Sequence, residues 1–258
     1  MNDLKGKWAL VLGASSGFGE ATSIELARRG MNIAGVHLDR KQTLPNVERI
    51  TDEIRKLGSE ALYFNINAAD EARRKDVLDA LAGRPVKALL HSLAFGTLKT
   101  FLAEKPEEAI SKPQLEMTLD VMANSLVYWV QDLWVRKMLA KGSRIFAMTS
   151  AGSSRIWSSY GAVSAAKCAL ESHIRQLAFE LAPHGISANA IRAGVTDTPA
   201  LRKIPGNEEM VRGTLARHPA KRLTTTKEVA CMIAALCSDD LDWVSGNTIG
   251  VDGGEILI

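Results

Sequence analysis

Aromatic side chains are scarce, at 5% of 258 residues, and only three are tyrosines: Tyr63, Tyr128 and Tyr160. A tyrosine outside an apolar stretch is therefore a prime candidate for chemistry. Cysteine is equally rare. Cys168, Cys231 and Cys237 have the spacing of neither a disulfide framework nor a metal site. Cys168 and Cys231 fall in apolar helical stretches, which suggests buried, inert thiols. None of the five histidines, His37, His91, His173, His184 and His218, stands at ligand spacing with another His or Cys, so no metal is expected. A charge excess of one sign is also missing. The net charge is +3 and no block of like charges occurs, which argues against a nucleic-acid partner. No apolar run reaches membrane-spanning length. The first 17 residues run into strand-like sequence without a cleavable leader pattern. No membrane partner and a cytoplasmic location are the expectations.

What is present is alternation. Apolar residues make up 46% of the chain and charged ones 24%, enough for a sizeable core. Short apolar runs at Trp8–Leu12, Asn32–Val36, Ala61–Ile66, Val86–His91, Arg144–Met148, Ile186–Ile191 and Thr248–Val251 read as strands. Helical patterns lie between them at Gly19–Arg29, Val47–Leu57, Ala72–Leu81, Leu115–Leu139, Ser159–Leu181 and Lys227–Cys237. Strand-then-helix alternation implies right-handed crossovers and a parallel sheet covered on both faces. No linker or repeat divides the chain, so one α/β domain over residues 1–258 is expected. Val195–Leu223 breaks the rhythm, and long connections of this kind serve as lids or binding loops.

Two stretches carry chemistry. After the first strand comes Gly13-Ala14-Ser15-Ser16-Gly17-Phe18-Gly19 and then a helix. Gly13 and Gly17 permit a tight turn and Gly19 lets the helix start close to the strand. Its free backbone N–H groups then face an anion. Farther on, Ser159-Tyr160-Gly161-Ala162-Val163-Ser164-Ala165-Ala166-Lys167 opens a helix. Seven helical steps turn about 700°, so Tyr160 and Lys167 share a face, about 20° apart. Lys167 lies roughly 4.5 Å farther along the axis than a lysine at the fourth position would.

The GxxxGxG turn, His91-Ser92-Leu93-Ala94, Asn124, Ala193-Gly194-Val195-Thr196-Asp197-Thr198, Val251-Asp252-Gly253-Gly254 and the Tyr-x6-Lys spacing occur in the order found in short-chain dehydrogenases/reductases. The chain resembles that family over nearly its whole length, and most closely its enoyl-acyl-carrier-protein reductase branch. The resemblance implies a Rossmann-type doubly wound sheet of about seven strands. It also implies NAD(P)H-dependent reduction of a 2,3-unsaturated acyl thioester in fatty-acid synthesis, on acyl carrier protein or CoA, by a homotetramer. Carried over position by position, Tyr160, Lys167, Ser150 and Asn124 become the catalytic candidates. Gly13, Ser15, Ser16, Gly17, Phe18, Gly19, His37, Asn67, Ser92, Leu93, Ala94, Lys167, Gly194, Thr196 and Thr198 become the cofactor contacts. Arg40 and Lys41, after the second strand, favour the 2′-phosphate of NADPH, against Asp39, which would suit NADH. One departure stands out. Many members of the branch carry a second Tyr ten residues before the first, and here that place is Ser150. A Ser there is closer to carbonyl reductases, which keeps a 3-ketoacyl or other carbonyl substrate as the alternative. The Val195–Leu223 connection would close over the acyl chain, and its six Lys and Arg would attract an acidic carrier. The apolar end Ile256-Leu257-Ile258 fits a subunit interface.

Overall fold

Alternate residues of the first strand point into two different apolar clusters. Trp8, Leu10 and Leu12 pack into one; Ala9 and Val11 pack into the other. A strand buried on both faces is what a parallel sheet between two helical layers requires. The computed structural model, which describes residues 4–257, has this arrangement. Seven strands, β1 (Trp8–Leu12), β2 (Asn32–His37), β3 (Ala61–Asn65), β4 (Val86–His91), β5 (Arg144–Ser150), β6 (Ser187–Ala193) and β7 (Thr248–Val251), form one sheet in the order β3-β2-β1-β4-β5-β6-β7. Every neighbouring pair is parallel, so all carboxyl ends lie along one edge. The order reverses between β1 and β4, and the crevice there is where open α/β sheets bind ligands.

The helices are α1 (Gly17–Arg28), α2 (Leu44–Lys56), α3 (Glu71–Ala80), α4 (Lys112–Leu119), α5 (Ser125–Val135), α6 (Gly161–Leu181), α7 (Asn207–Arg217) and α8 (Thr226–Leu236). Their starts follow capping chemistry. The Ser111 N–H bonds the Gln114 side chain at 3.0 Å, with Pro113 in the first turn of α4. Thr225 and Glu228 cap α8 reciprocally, at 2.9 and 3.3 Å.

The single helix expected over Leu115–Leu139 is different in two ways. It starts at Lys112, and a π-helical turn at Asp120–Asn124 separates α4 from α5. It also ends at Val135, after which Lys137 adopts a φ of +56°. Met138 and Leu139 are buried, and the Met138 carbonyl accepts the N–H of Val86 at 2.8 Å. Their apolar character therefore reflects packing under the start of β4, where the periodicity suggested more helix. The Val195–Leu223 connection contains α7, which its mixed polar sequence did not announce. Among the described residues no helix is long and apolar enough to cross a membrane.

Candidate active site

The turn after β1 is closed too tightly for any side chain. Gly13 has a φ of +88°, and a Cβ there would lie 2.5 Å from the Ser92 carbonyl oxygen. A Cβ on Gly19 would lie 2.0 Å from the Gly13 carbonyl oxygen. The turn therefore packs against the His91-Ser92 segment, and the Ser92 N–H bonds Leu12 O at 2.8 Å. Ser16 precedes α1 without a side-chain cap, leaving the first-turn N–H groups free for an anion. This glycine-built cradle fits a dinucleotide pyrophosphate. Phe18 is partly buried and packs against the second apolar cluster. Facing the turn across the crevice is the loop after β6. A Cβ on Gly17 would stand 3.6 Å from Thr198 Cγ2. In that loop Thr196 Oγ1 donates to Gly194 O at 2.9 Å, and Thr198 Oγ1 accepts from Leu201 N at 3.2 Å. Both threonines are buried.

Three successive residues at the end of β5 hold three side chains of the next helical segment. Met148 O accepts from Lys167 Nζ at 2.8 Å. Thr149 Oγ1 donates to Glu171 Oε1 at 2.6 Å. The Ser150 hydroxyl faces Tyr160 across Gly152. Tyr160 is set at the start of α6 by Ser159, whose φ of +60° is a strained value for a non-glycine residue. Gly152 leaves room for the ring, since a Cβ there would come 2.5 Å from Tyr160 Cε1. Burial pushes the Tyr160 hydroxyl up, and Ser150 works against that shift. Burial pulls the Lys167 ammonium down to about 8, with the Glu171 carboxylate opposing. His91 is fully buried; its Nε2 meets Ser125 Oγ at 2.9 Å and its Nδ1 has no partner. Burial first, then the charge of Lys167, hold the His91 ring at about 3, so it is neutral. It pins the start of α5.

Residues 13–255 match the family model described as Enoyl-(Acyl carrier protein) reductase. The chain belongs to the short-chain dehydrogenase/reductase family. It is similar to a 1-cyclohexenylcarbonyl-CoA reductase of Streptomyces collinus, 29% identical over 252 residues that cover 97% of this chain and 87% of that one. A cyclohexanol dehydrogenase of Acinetobacter sp. (strain SE19) is 30% identical, over 98% of this chain and 96% of its own. Among solved structures, an enoyl-[acyl-carrier-protein] reductase (NADH) from Aquifex aeolicus VF5 superposes with a TM-score of 0.84, covering 99% and 98% of the two chains at 23% identity. That last likeness speaks to the fold.

In this dehydrogenase/reductase the structure brings Tyr160, Ser150 and Lys167 to the carboxyl end of β5, but not Asn124. Asn124 closes the π turn and its Oδ1 meets His173 Nε2 at 3.1 Å. His173 is 13 residues beyond Tyr160, about 20 Å along the helix axis, so Asn124 is removed from the hydroxyl pair. His37, expected at the ribose, is turned inward and buried, with its Nδ1 2.9 Å from Asp39 Oδ2. The carboxylate at that edge belongs to Asp39, which hydrogen bonds from Ser15, Thr43 and His37 keep ionised against burial. Asn67 follows β3, and its Oδ1 accepts the Ala69 N–H at 3.0 Å. Leu93 packs against the first cluster and Ala94 is exposed. Cys168, expected to be buried, is exposed, because it follows the buried Lys167 on α6 and points away from the sheet.

Glu171 and Thr149 are parts of the site that sequence reasoning missed. Glu171 lies four residues after Lys167 and so on its face of the helix, a signal that was available. Thr149 had none. Among the described residues no cluster of three or more His, Cys, Asp or Glu is placed to hold a metal ion.

Proposed function

We propose that this NAD(P)-dependent oxidoreductase reduces the 2,3 double bond of an acyl thioester. The observation that carries the reading is the position of Tyr160 relative to Lys167. Lys167 is anchored on a β5 carbonyl, and the place four residues before it, where ordinary short-chain dehydrogenases carry the tyrosine, is filled by Val163, which is buried and has no hydroxyl. The tyrosine is therefore the residue displaced, about 4.5 Å toward the amino end of α6, whereas the spacing alone suggested a displaced lysine. In a ketone the carbon that receives hydride bears the oxygen. In an enoyl thioester the receiving β-carbon is two carbons away from the carbonyl carbon, so the oxygen's donor must stand farther from the hydride source.

Gly13–Gly19 would hold the pyrophosphate of a nicotinamide dinucleotide and Gly194–Thr198 its nicotinamide end, and the group would supply the hydride. The Tyr160 and Ser150 hydroxyls donate to the thioester oxygen as negative charge develops there, and stabilise it as an oxyanion hole does. Lys167 keeps positive potential beneath the pair. Ser150 also supports a second reading, reduction of a 3-ketoacyl or other carbonyl. It lies thirteen residues before Val163, which is the carbonyl-reductase spacing counted from the usual tyrosine position. A panel of crotonoyl and acetoacetyl thioesters decides between them. We expect kcat/KM at least about tenfold higher for crotonoyl thioester, roughly 1.4 kcal/mol in barrier. A preference for acetoacetyl would overturn the enoyl reading and leave the family intact.

NADPH is the proposed cofactor. The Arg40 and Lys41 side chains are exposed at the turn after β2, where a 2′-phosphate would lie. Asp39 favours NADH, although part of its hydrogen-bonding capacity is taken by His37 and Ser15. The α7 region is the proposed cover of the acyl chain, a reading supported by Trp157 Nε1, three residues before Tyr160, which donates to Pro205 O at 2.9 Å. Arg202 pairs with Asp197 and Arg222 with Glu228, so docking of an acidic carrier falls to Lys203, Arg212, Arg217 and Lys221. A homotetramer is proposed, to be checked by sedimentation. Of the apolar end proposed for its interface, Leu257 is exposed and Ile258 lies outside the described residues.

A further inference from the structure

Residues 252–256 touch the loop after β6, the end of α7 and the segment between Ser150 and Tyr160. Asp252 begins a tight turn in which its carbonyl accepts the Glu255 N–H at 3.0 Å and its Oδ1 accepts the Gly254 N–H at 3.1 Å. Glu255 is 8% exposed, which is unusual for an acid. Its Oε2 accepts the N–H of Val195 at 2.8 Å. That amide belongs to the loop after β6, where a Cβ on Gly194 would stand 2.4 Å from Thr224 Oγ1 and 2.8 Å from the same carboxylate oxygen. The carboxylate and Thr224 together fill the space that glycine leaves.

The turn also has two other ties. His218, at the end of α7, is buried; its Nδ1 accepts the Ala220 N–H at 3.0 Å, so the proton resides on Nε2, which donates to Asp252 O at 2.9 Å. Arg155, between Ser150 and Tyr160, reaches the carbonyls of Glu255 and Ile256 at 3.4 and 3.3 Å.

We infer that Glu255 is a positioning residue for the nicotinamide end of the cofactor. The turn that carries it acts as a clasp joining the Gly194–Thr198 loop to the Ser150–Tyr160 loop and to α7. The inference rests on the reading that Gly194–Thr198 receives the nicotinamide. A neutral acceptor does this work as well as a charged one, which separates the role from a simple ion pair.

The test is cofactor affinity, measured by fluorescence titration of the full-length protein with NADPH and NADH and without acyl substrate, alongside thermal midpoints. Glu255→Ala should raise the cofactor Kd about tenfold with little change in the acyl-thioester KM. Glu255→Gln, whose amide oxygen accepts the same N–H, should stay within about threefold of wild type. Glu255→Asp, which keeps the carboxylate but withdraws it from the Val195 N–H, should reproduce the alanine defect and stands in for Glu255→Ala should that variant not fold. An unchanged Kd in Glu255→Ala or Glu255→Asp would overturn the inference, as would a glutamine variant no better than alanine. Wild-type protein that bound neither cofactor would overturn the cofactor reading together with this one, whereas unchanged variants of a binding wild type overturn the clasp alone.

Discussion

The environment of Lys167 makes its charge conditional. Buried on α6, it faces the Met148 carbonyl, the Glu171 carboxylate and the neutral His91 ring. Its value of about 8 lies below the 10.5 of a free lysine, so between those limits the unfolded chain binds the extra proton. The stability contributed by this group therefore rises with pH across that window. Activity should run the opposite way, since it needs the ammonium form. In the free enzyme kcat/KM should fall above about pH 8. Glu171→Gln removes the opposing carboxylate and should move that limb to lower pH, visible in a pH–rate profile. A limb that stays in place would mean that Glu171 does not act through Lys167. Tyr160→Phe should cost on the order of a hundredfold or more in kcat while cofactor Kd stays near wild type. Full activity in Tyr160→Phe would remove the hydroxyl from the mechanism.

Helices and loops bring these residues together through contacts that leave no space for a side chain. At Gly19 a methyl group would stand 2.0 Å from the Gly13 carbonyl oxygen, and backbone on both sides cannot yield cheaply. Gly19→Ala should therefore push α1 away from the turn and weaken cofactor binding by at least about a hundredfold, roughly 2.7 kcal/mol. Isothermal titration with NADPH measures this, and near wild-type affinity would show that the cradle is elsewhere. The glycine turn, the seven strands and the place of Tyr160 were legible in the sequence because each has a local signature: a residue type, a short apolar run, a helix start. The π turn, the end of α5 and the role of Asn124 were not. Asn124 was placed by family position alone, and its partner His173 is 49 residues away, a distance no local pattern reports. The tie between Glu255 and Val195 spans 60 residues and was hidden for the same reason.

Across the whole molecule the cofactor would bridge the two halves of the sheet, from the β1 turn to the loop after β6, with its adenosine end at β2. Binding confined to the folded state stabilises by about 2.7 kcal/mol at a hundred times Kd. For a chain of this size each kcal/mol shifts the midpoint by roughly 2–4 °C. Saturating NADPH should therefore raise the melting temperature by several degrees. At equal concentration NADH should give a clearly smaller shift, because it lacks the phosphate that Arg40 and Lys41 would contact. Replacing both with alanine should reduce the NADPH shift to that of NADH and leave the NADH shift alone, since two charge-assisted contacts are lost only where there is a phosphate to lose. Asp39→Ser should act in the other direction. Removing an ionised carboxylate beside Ser15 relieves repulsion of the phosphate and takes away an acceptor for the ribose hydroxyl, so the NADPH shift should grow and the NADH shift should shrink. If wild-type protein is stabilised more by NADH, Asp39 dominates the edge of β2 and the two basic residues are a solvated turn.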